Sequence, residues 1–120
     1  MIRRIYATWI YVSDLEKSRK FYENKIGLRF KLKDNDWIEF DLGETSFAIL
    51  QRPVEKGKVI PQKTRIMFEA DNIISHKKQL QEAGVKLIGD IRNDTYGKLL
   101  TFEDPDGHWL ELYESKAVNL

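Results

Sequence analysis

Two rhythms of hydrophobic and polar positions succeed one another along this chain, and the same succession occurs twice. Ala7-Thr8-Trp9-Ile10-Tyr11-Val12 is β-branched and aromatic with no breaker, which predicts a strand. Over residues 15–26 the spacing becomes helical, with Leu15, Ser18, Tyr22 and Ile26 on one stripe. Ser13 and Glu16 have the spacing of a capping box, and Gly27 is placed to end the helix in a left-handed turn. In the second half, residues 65–70 read as a strand, Asp71 or Asn72 caps a helix with the stripe Ile73, Leu80 and Ala83, and Gly84 ends it. Val12 to Ala70 is a step of 58 and Gly27 to Gly84 a step of 57, so one residue slips inside the helix.

Two or three strands follow each helix. Residues 37–41 and 46–50 read as strands in the first half, and residues 99–103 and 108–113 in the second. Phe40 precedes Phe102 by 62, and Ile49 precedes Glu111 by 62. The pattern predicts an α+β chain of two βαβββ modules, residues 1–52 and 63–120, joined by a linker at 53–62 that holds Pro53, Gly57 and Pro61. Asp104-Pro105-Asp106-Gly107 suits a type I turn between the last two strands.

Composition narrows the chemistry. At 120 residues the chain is long enough for a core without staples. With no cysteine there is no disulfide, thiolate metal site or cysteine nucleophile, and His76 and His108 are too few for a histidine-rich centre. A net charge of +1 gives no electrostatic case for nucleic acid or an anionic membrane. The longest apolar stretch, residues 5–12, falls short of the roughly 20 residues a membrane helix needs. No signal-peptide pattern opens the chain, so a soluble, cytoplasmic protein is expected.

Val12-Ser13-Asp14-Leu15-Glu16-Lys17-Ser18-Arg19-Lys20-Phe21-Tyr22 with Ile26-Gly27-Leu28 resembles the first helix of the vicinal oxygen chelate superfamily. That superfamily includes glyoxalase I, bleomycin and fosfomycin resistance proteins and ring-cleaving dioxygenases. Phe102-Glu103-Asp104-Pro105-Asp106-Gly107-His108-Trp109-Leu110-Glu111-Leu112 is similar to its closing hairpin. The resemblance covers nearly the whole chain. It implies a cupped half-barrel of mixed sheet, with the helices on the convex face. In metal-dependent members four cup-facing side chains, from the first and last strand of each module, hold a divalent ion.

Carried onto this sequence, those four positions are Ala7, Ile49, Arg65 and Glu111. Alanine and isoleucine have no donor atom, and arginine stays protonated. Glu111 alone falls short of the three or so protein ligands of a catalytic ion. No metal and no cofactor are therefore expected, and Arg65 is expected to pair with Glu111 in the metal's place. His76 reads as a helix-face or partly buried residue, and His108 as surface or hairpin packing rather than a ligand. Period-two parity from the ligand positions sends Ala7, Trp9 and Tyr11, then Phe47, Ile49 and Gln51, then Arg65, Met67 and Glu69, and finally Trp109, Glu111 and Tyr113 into the cup. Trp37 joins them if Ile38 and Phe40 pack under the helix. The expected function is metal-free binding of a small organic molecule by a homodimer, with aromatic walls and a few charged groups. The alternative is a metal-dependent or acid/base enzyme of the superfamily: a lyase, isomerase or dioxygenase.

Overall fold

A computed structural model describes residues 5–51, 66–93 and 97–116. The chain forms two compact units, Met1–Ile60 and Pro61–Leu120; the expected linker at 53–62 lies outside the described residues. In the first unit β1 (Ala7–Val12) leads to α1 (Leu15–Lys20), which continues as a π-helical turn over Phe21–Ile26. Three strands follow: β2 (Arg29–Asp34), β3 (Trp37–Asp41) and β4 (Ser46–Gln51). The second unit repeats this as β5 (Met67–Glu69), α2 (Ile73–Glu82), β6 (Lys86–Asn93), β7 (Gly97–Glu103) and β8 (Trp109–Ser115). The sheets have the orders β1-β4-β3-β2 and β5-β8-β7-β6. In each, the first and last strands run parallel and the rest antiparallel. This is α+β and βαβββ twice.

The slip between the helices has a structural cause. From cap to terminal glycine, Asp14 to Gly27 is one residue longer than Asn72 to Gly84. The π turn of the first helix absorbs that residue, since it closes on the fifth rather than the fourth neighbour. The first cap is also corrected: the Asp14 side chain accepts from the Lys17 amide at 3.2 Å, one residue after the expected Ser13. Asn72 caps α2 through the Ser75 amide, at 3.3 Å.

Each helix start is also tied to its own sheet by a side chain from the last strand. Gln51 Oε1 accepts from the Leu15 amide at 2.9 Å, and Glu114 Oε1 from the Ile73 amide at 2.6 Å. The two devices are equivalent in the repeat. Each satisfies one of the four amides that a helix N-terminus leaves without an internal partner, and a carboxylate there also opposes the helix dipole. Gln51, expected in the cup, therefore belongs to the helix side.

The core lies between helix and sheet in each unit. Tyr22 is fully buried and meets Phe47 at 5.0 Å and Phe40 at 6.1 Å between ring centroids. Ile10, Val12, Ile38 and Ile49 are buried with them. Ile73 and Leu80 of α2 are buried, as are Phe68, Leu100, Phe102, Leu110 and Leu112 of the sheet. Lys77 of α2 donates to Asp90 of β6. That hydrogen bond, aided by the Ile91 amide and the lysine's charge, holds the Asp90 carboxyl below the usual carboxylate range.

The closing hairpin is built on the buried Asp104. Its Oδ1 accepts from the Asp106 and His108 amides at 2.9 and 2.8 Å, and its carbonyl accepts from the Gly107 amide at 3.0 Å. Gly107, at φ 86°, supplies the left-handed residue the turn needs. His108 is buried behind this turn.

Removing either sheet-to-helix cap should destabilise the fold. Glu114→Ala is expected to cost about 1–2 kcal/mol and Gln51→Ala about 1 kcal/mol, read as shifts in the urea midpoint. Glu114→Gln should recover most of the loss, because its oxygen still accepts.

Candidate functional site

The side of each sheet that the helix leaves uncovered carries the candidate chemistry. On the first sheet, cross-strand register puts Trp9 opposite Ala48, Ala48 opposite Glu39, and Tyr11 and Trp37 on either side of Leu50. Trp9 is 39% exposed and meets Tyr11 at 5.0 Å and Trp37 at 6.0 Å, both edge-to-face. The Trp37 indole donates to Glu39 Oε2 at 2.9 Å, and the Tyr6 hydroxyl to Oε1 at 3.3 Å. Lys31 Nζ stands 3.7 Å from the same carboxylate and 3.3 Å from Ser46 Oγ. Glu39, only 5% exposed, is thus neutralised by a lysine and held by two aromatic donors. A buried carboxylate needs such partners.

Lys31 reaches this face by alternation from Phe30, beside a bulge in β2. Phe30 pairs with Phe40 and Leu32 with Glu39, which leaves Lys31 as the extra residue. Phe30 stays on the helix side, under the Arg19 guanidinium at 4.0 Å, while Lys31 turns to the open side.

The second sheet is arranged alike with different side chains. Met67 pairs with Glu111, and Glu69 with Tyr113, across β5 and β8; Thr101 faces Glu111, and Leu99 faces Tyr113, across β7 and β8. Arg92 Nη2 donates to Thr101 Oγ1 at 2.9 Å and to Glu111 Oε2 at 3.1 Å. Thr101 also contacts that oxygen at 3.3 Å. Again the cation comes from an irregular strand: the β6 register shifts between Ile88 and Arg92, and Gly89 there has φ 76°. The Trp109 indole donates to Glu103 Oε1 at 3.1 Å, and Trp109 is 39% exposed.

Most of the expected side chains lie on these open faces: Trp9, Tyr11 and Trp37 on the first, and Met67, Glu69, Trp109, Glu111 and Tyr113 on the second. Phe47 and Ile49 do not. Ile49 pairs with the buried Ile10, and Phe47 meets Tyr22 edge to face, so both belong to the helix face. The reason is a single residue. The loop between β3 and β4 spans residues 42–45, whereas that between β7 and β8 spans 104–108. The step of 62 that relates Phe40 to Phe102 becomes 63 beyond the turn, so Glu111 corresponds to Ala48, not Ile49. A one-residue slip sends every later side chain to the other face.

Arg65 lies outside the described residues, and the cation found on Glu111 is Arg92. Arg92, Thr101, Lys31 and Tyr6 were missed in the sequence. Arg29-Phe30-Lys31-Leu32 does alternate, a signal that β2 was there to be found; β6 has none so clear, because Gly89 interrupts it.

For a divalent ion the donor set does not fit. Ala7 and Ala48 offer nothing, and Glu111 is engaged by Arg92. Among the described residues no three His, Asp or Glu side chains come together as a metal site. Among them, too, no helix is long and apolar enough to cross a membrane.

The profile of the Glyoxalase/Bleomycin resistance protein/Dioxygenase superfamily matches residues 4–112, and the chain belongs to that superfamily. It is 32% identical over 108 residues to the metallothiol transferase FosB of Lysinibacillus sphaericus, covering 85% of this chain and 75% of that protein. It is 26% identical over 121 residues to the uncharacterized protein YetH of Bacillus subtilis, covering 95% and 100%. Among solved structures, TnmS3, an antibiotic binding protein from Streptomyces sp. CB03234, superposes with a TM-score of 0.78 at 24% identity over 96% of this chain and 98% of that one. A putative glyoxalase family protein from Bacillus anthracis gives 0.79 at 20% identity over 97% and 98%. These two share the glyoxalase-like fold.

Arg92→Met should destabilise the chain by about 1–2 kcal/mol, a range reduced because the arginine is half-exposed. In a Glu111→Gln background the same change should cost clearly less, since no charge is then stranded. Chemical denaturation of the four proteins measures this coupling, and equal costs in both backgrounds would show that the pair carries none.

Proposed function

We propose that this chain is a metal-free binding protein that sequesters a small, flat, largely aromatic organic molecule on its open sheet faces. The observation that carries the reading is the triad Trp9–Tyr11–Trp37. Its rings brace one another edge to face, and Trp9 remains exposed beside a carboxylate that is already neutralised. Such a surface offers large apolar area at little entropic cost and no unpaired charge to desolvate. The pairing of Glu39 with Lys31 shifts the reading away from a strongly cationic ligand, since the carboxylate's field is largely spent. The likeness to an antibiotic binding protein supports sequestration of this kind.

A second reading has its own support. The similarity to a metallothiol transferase favours a metal-dependent enzyme. The donor set counts against it, because the one carboxylate at an expected ligand position is engaged by an arginine. The protein is further proposed to be cytoplasmic and a homodimer, which would cover the open edges of β1 and β2 or of β5 and β6.

Two measurements test this. Elemental analysis of protein purified without added metal should find no stoichiometric zinc, nickel, iron or manganese. A full equivalent that disappears in Glu111→Ala would instead overturn the metal-free reading and favour the enzyme. A thermal-shift screen of small, flat aromatic antibiotics without a strong positive charge should find one that raises the melting temperature. A ligand at a hundred times its Kd adds about 2.7 kcal/mol. Trp9→Ala should weaken any hit about tenfold with little loss of stability, because Trp9 is partly exposed. Light scattering should give a dimer mass.

A further inference from the structure

We infer that Arg92 recognises an oxyanion of the ligand, a carboxylate or a similar planar pair of oxygens, on the open face of the second sheet. This rests on the binding function proposed above and names the polar group that a ligand on the second sheet would carry.

A guanidinium carries five N–H donors in one plane. In Arg92 only Nη2 is engaged, by Thr101 Oγ1 and Glu111 Oε2. Among the described residues no acceptor meets Nε or Nη1. The side chain is 50% exposed, so those donors are within reach of a ligand. An ordinary exposed arginine samples many rotamers and spends entropy to bind. This one is already fixed: it leaves β6, crosses β7 and is anchored at a carboxylate of β8 that is itself only 8% exposed. Its free edge is preorganised, which lowers the cost of binding.

Glu111 cancels much of the arginine's field at a distance, so net charge would not gather anions here. What survives at short range is geometry: in-plane donors that fit two oxygens of one group and confer little on a neutral amide. The surroundings orient the ligand. Glu69 stands exposed on β5, at the opposite edge of the sheet from β6, and would repel an anionic end placed there. Glu103 is occupied by Lys86 at 3.4 Å and by the Trp109 indole. Met67, 50% exposed, pairs with Glu111 and offers apolar contact for the body of the molecule.

The test compares 2-naphthoate, 2-naphthamide and 2-naphthylmethylamine, which share one aromatic body, by calorimetry against the wild type, Arg92→Lys and Arg92→Gln. The acid should bind the wild type about tenfold more tightly than the amide. It should also shift the Arg92 Nε–H resonance, assigned by its loss in Arg92→Lys. In Arg92→Lys the preference should fall to near unity, because a lysine keeps the charge beside Glu111 but loses the fork. Should that variant melt early, Arg92→Gln and the wild-type acid-to-amide ratio decide. Equal affinity of the wild type for acid and amide would overturn the inference and leave the aromatic binding function standing. A preference for the amine would also overturn it and make Glu69 the polar partner. If none of the three binds, both readings fall.

Discussion

Tyr22 seated on Phe40 and Phe47 decides what the first unit can offer to a ligand. Once that ring is buried against those two, Ile10, Val12, Ile38 and Ile49 are committed to the same side. Period-two alternation then leaves Trp9, Tyr11, Trp37 and Glu39 on the other. No separate device aims the tryptophans. The helix claims one face and the pleat assigns the remainder. The second unit obeys the same rule, with Ile73 and Leu80 buried along with Phe68, Phe102 and Leu110, which leaves Met67, Thr101 and Glu111 on the opposite face.

The repeat was readable because it rests on rules of local sequence. Breaker-free β-branched runs, helical stripes and the terminal glycines recur in order, and they were enough to place the fold. What escaped was register. Parity carried through a hairpin is sound only if the loop length is known, and the 104–108 loop holds one residue more than the 42–45 loop. Asp104 folds the longer one tightly around its own carboxylate, so the extra residue leaves no mark in the hydrophobic pattern. Phe47 and Ile49 were misassigned for that reason alone. Trp9, Tyr11 and Trp109 needed no step across a loop of unknown length, or came after one already anchored at Glu111.

The charged partners were harder to see, and the cause is again backbone geometry. Lys31 and Arg92 both come from strands whose pairing register is interrupted. Parity alone puts both on the open face, Lys31 beside Phe30 and Arg92 four residues after Ile88; what the interruption shifts is the cross-strand partner each one meets. The payoff is electrostatic. Glu39 and Glu111 are nearly buried, and a carboxylate in that setting needs a counter-charge and donors. Each receives both, from Lys31 with Tyr6 and Trp37 in one unit, and from Arg92 with Thr101 in the other.

Duplication thus preserved a scaffold and let its two faces diverge. The same two elements, a cation from an irregular strand and a buried glutamate, recur at different positions and with different consequences. In the first unit lysine, a point charge, neutralises Glu39 and leaves aromatic rings as the surface with most to offer. In the second, arginine neutralises Glu111 with one edge of a planar fork and keeps the other edge. The buried glutamate is satisfied in both, though not at equivalent positions: β3 supplies it in one sheet and β8 in the other. A metal centre asks for several carboxylates or imidazoles converging with their lone pairs unspent. A sheet that satisfies each buried carboxylate internally has already given up that convergence, and directional hydrogen bonding and ring contact are the chemistry it retains.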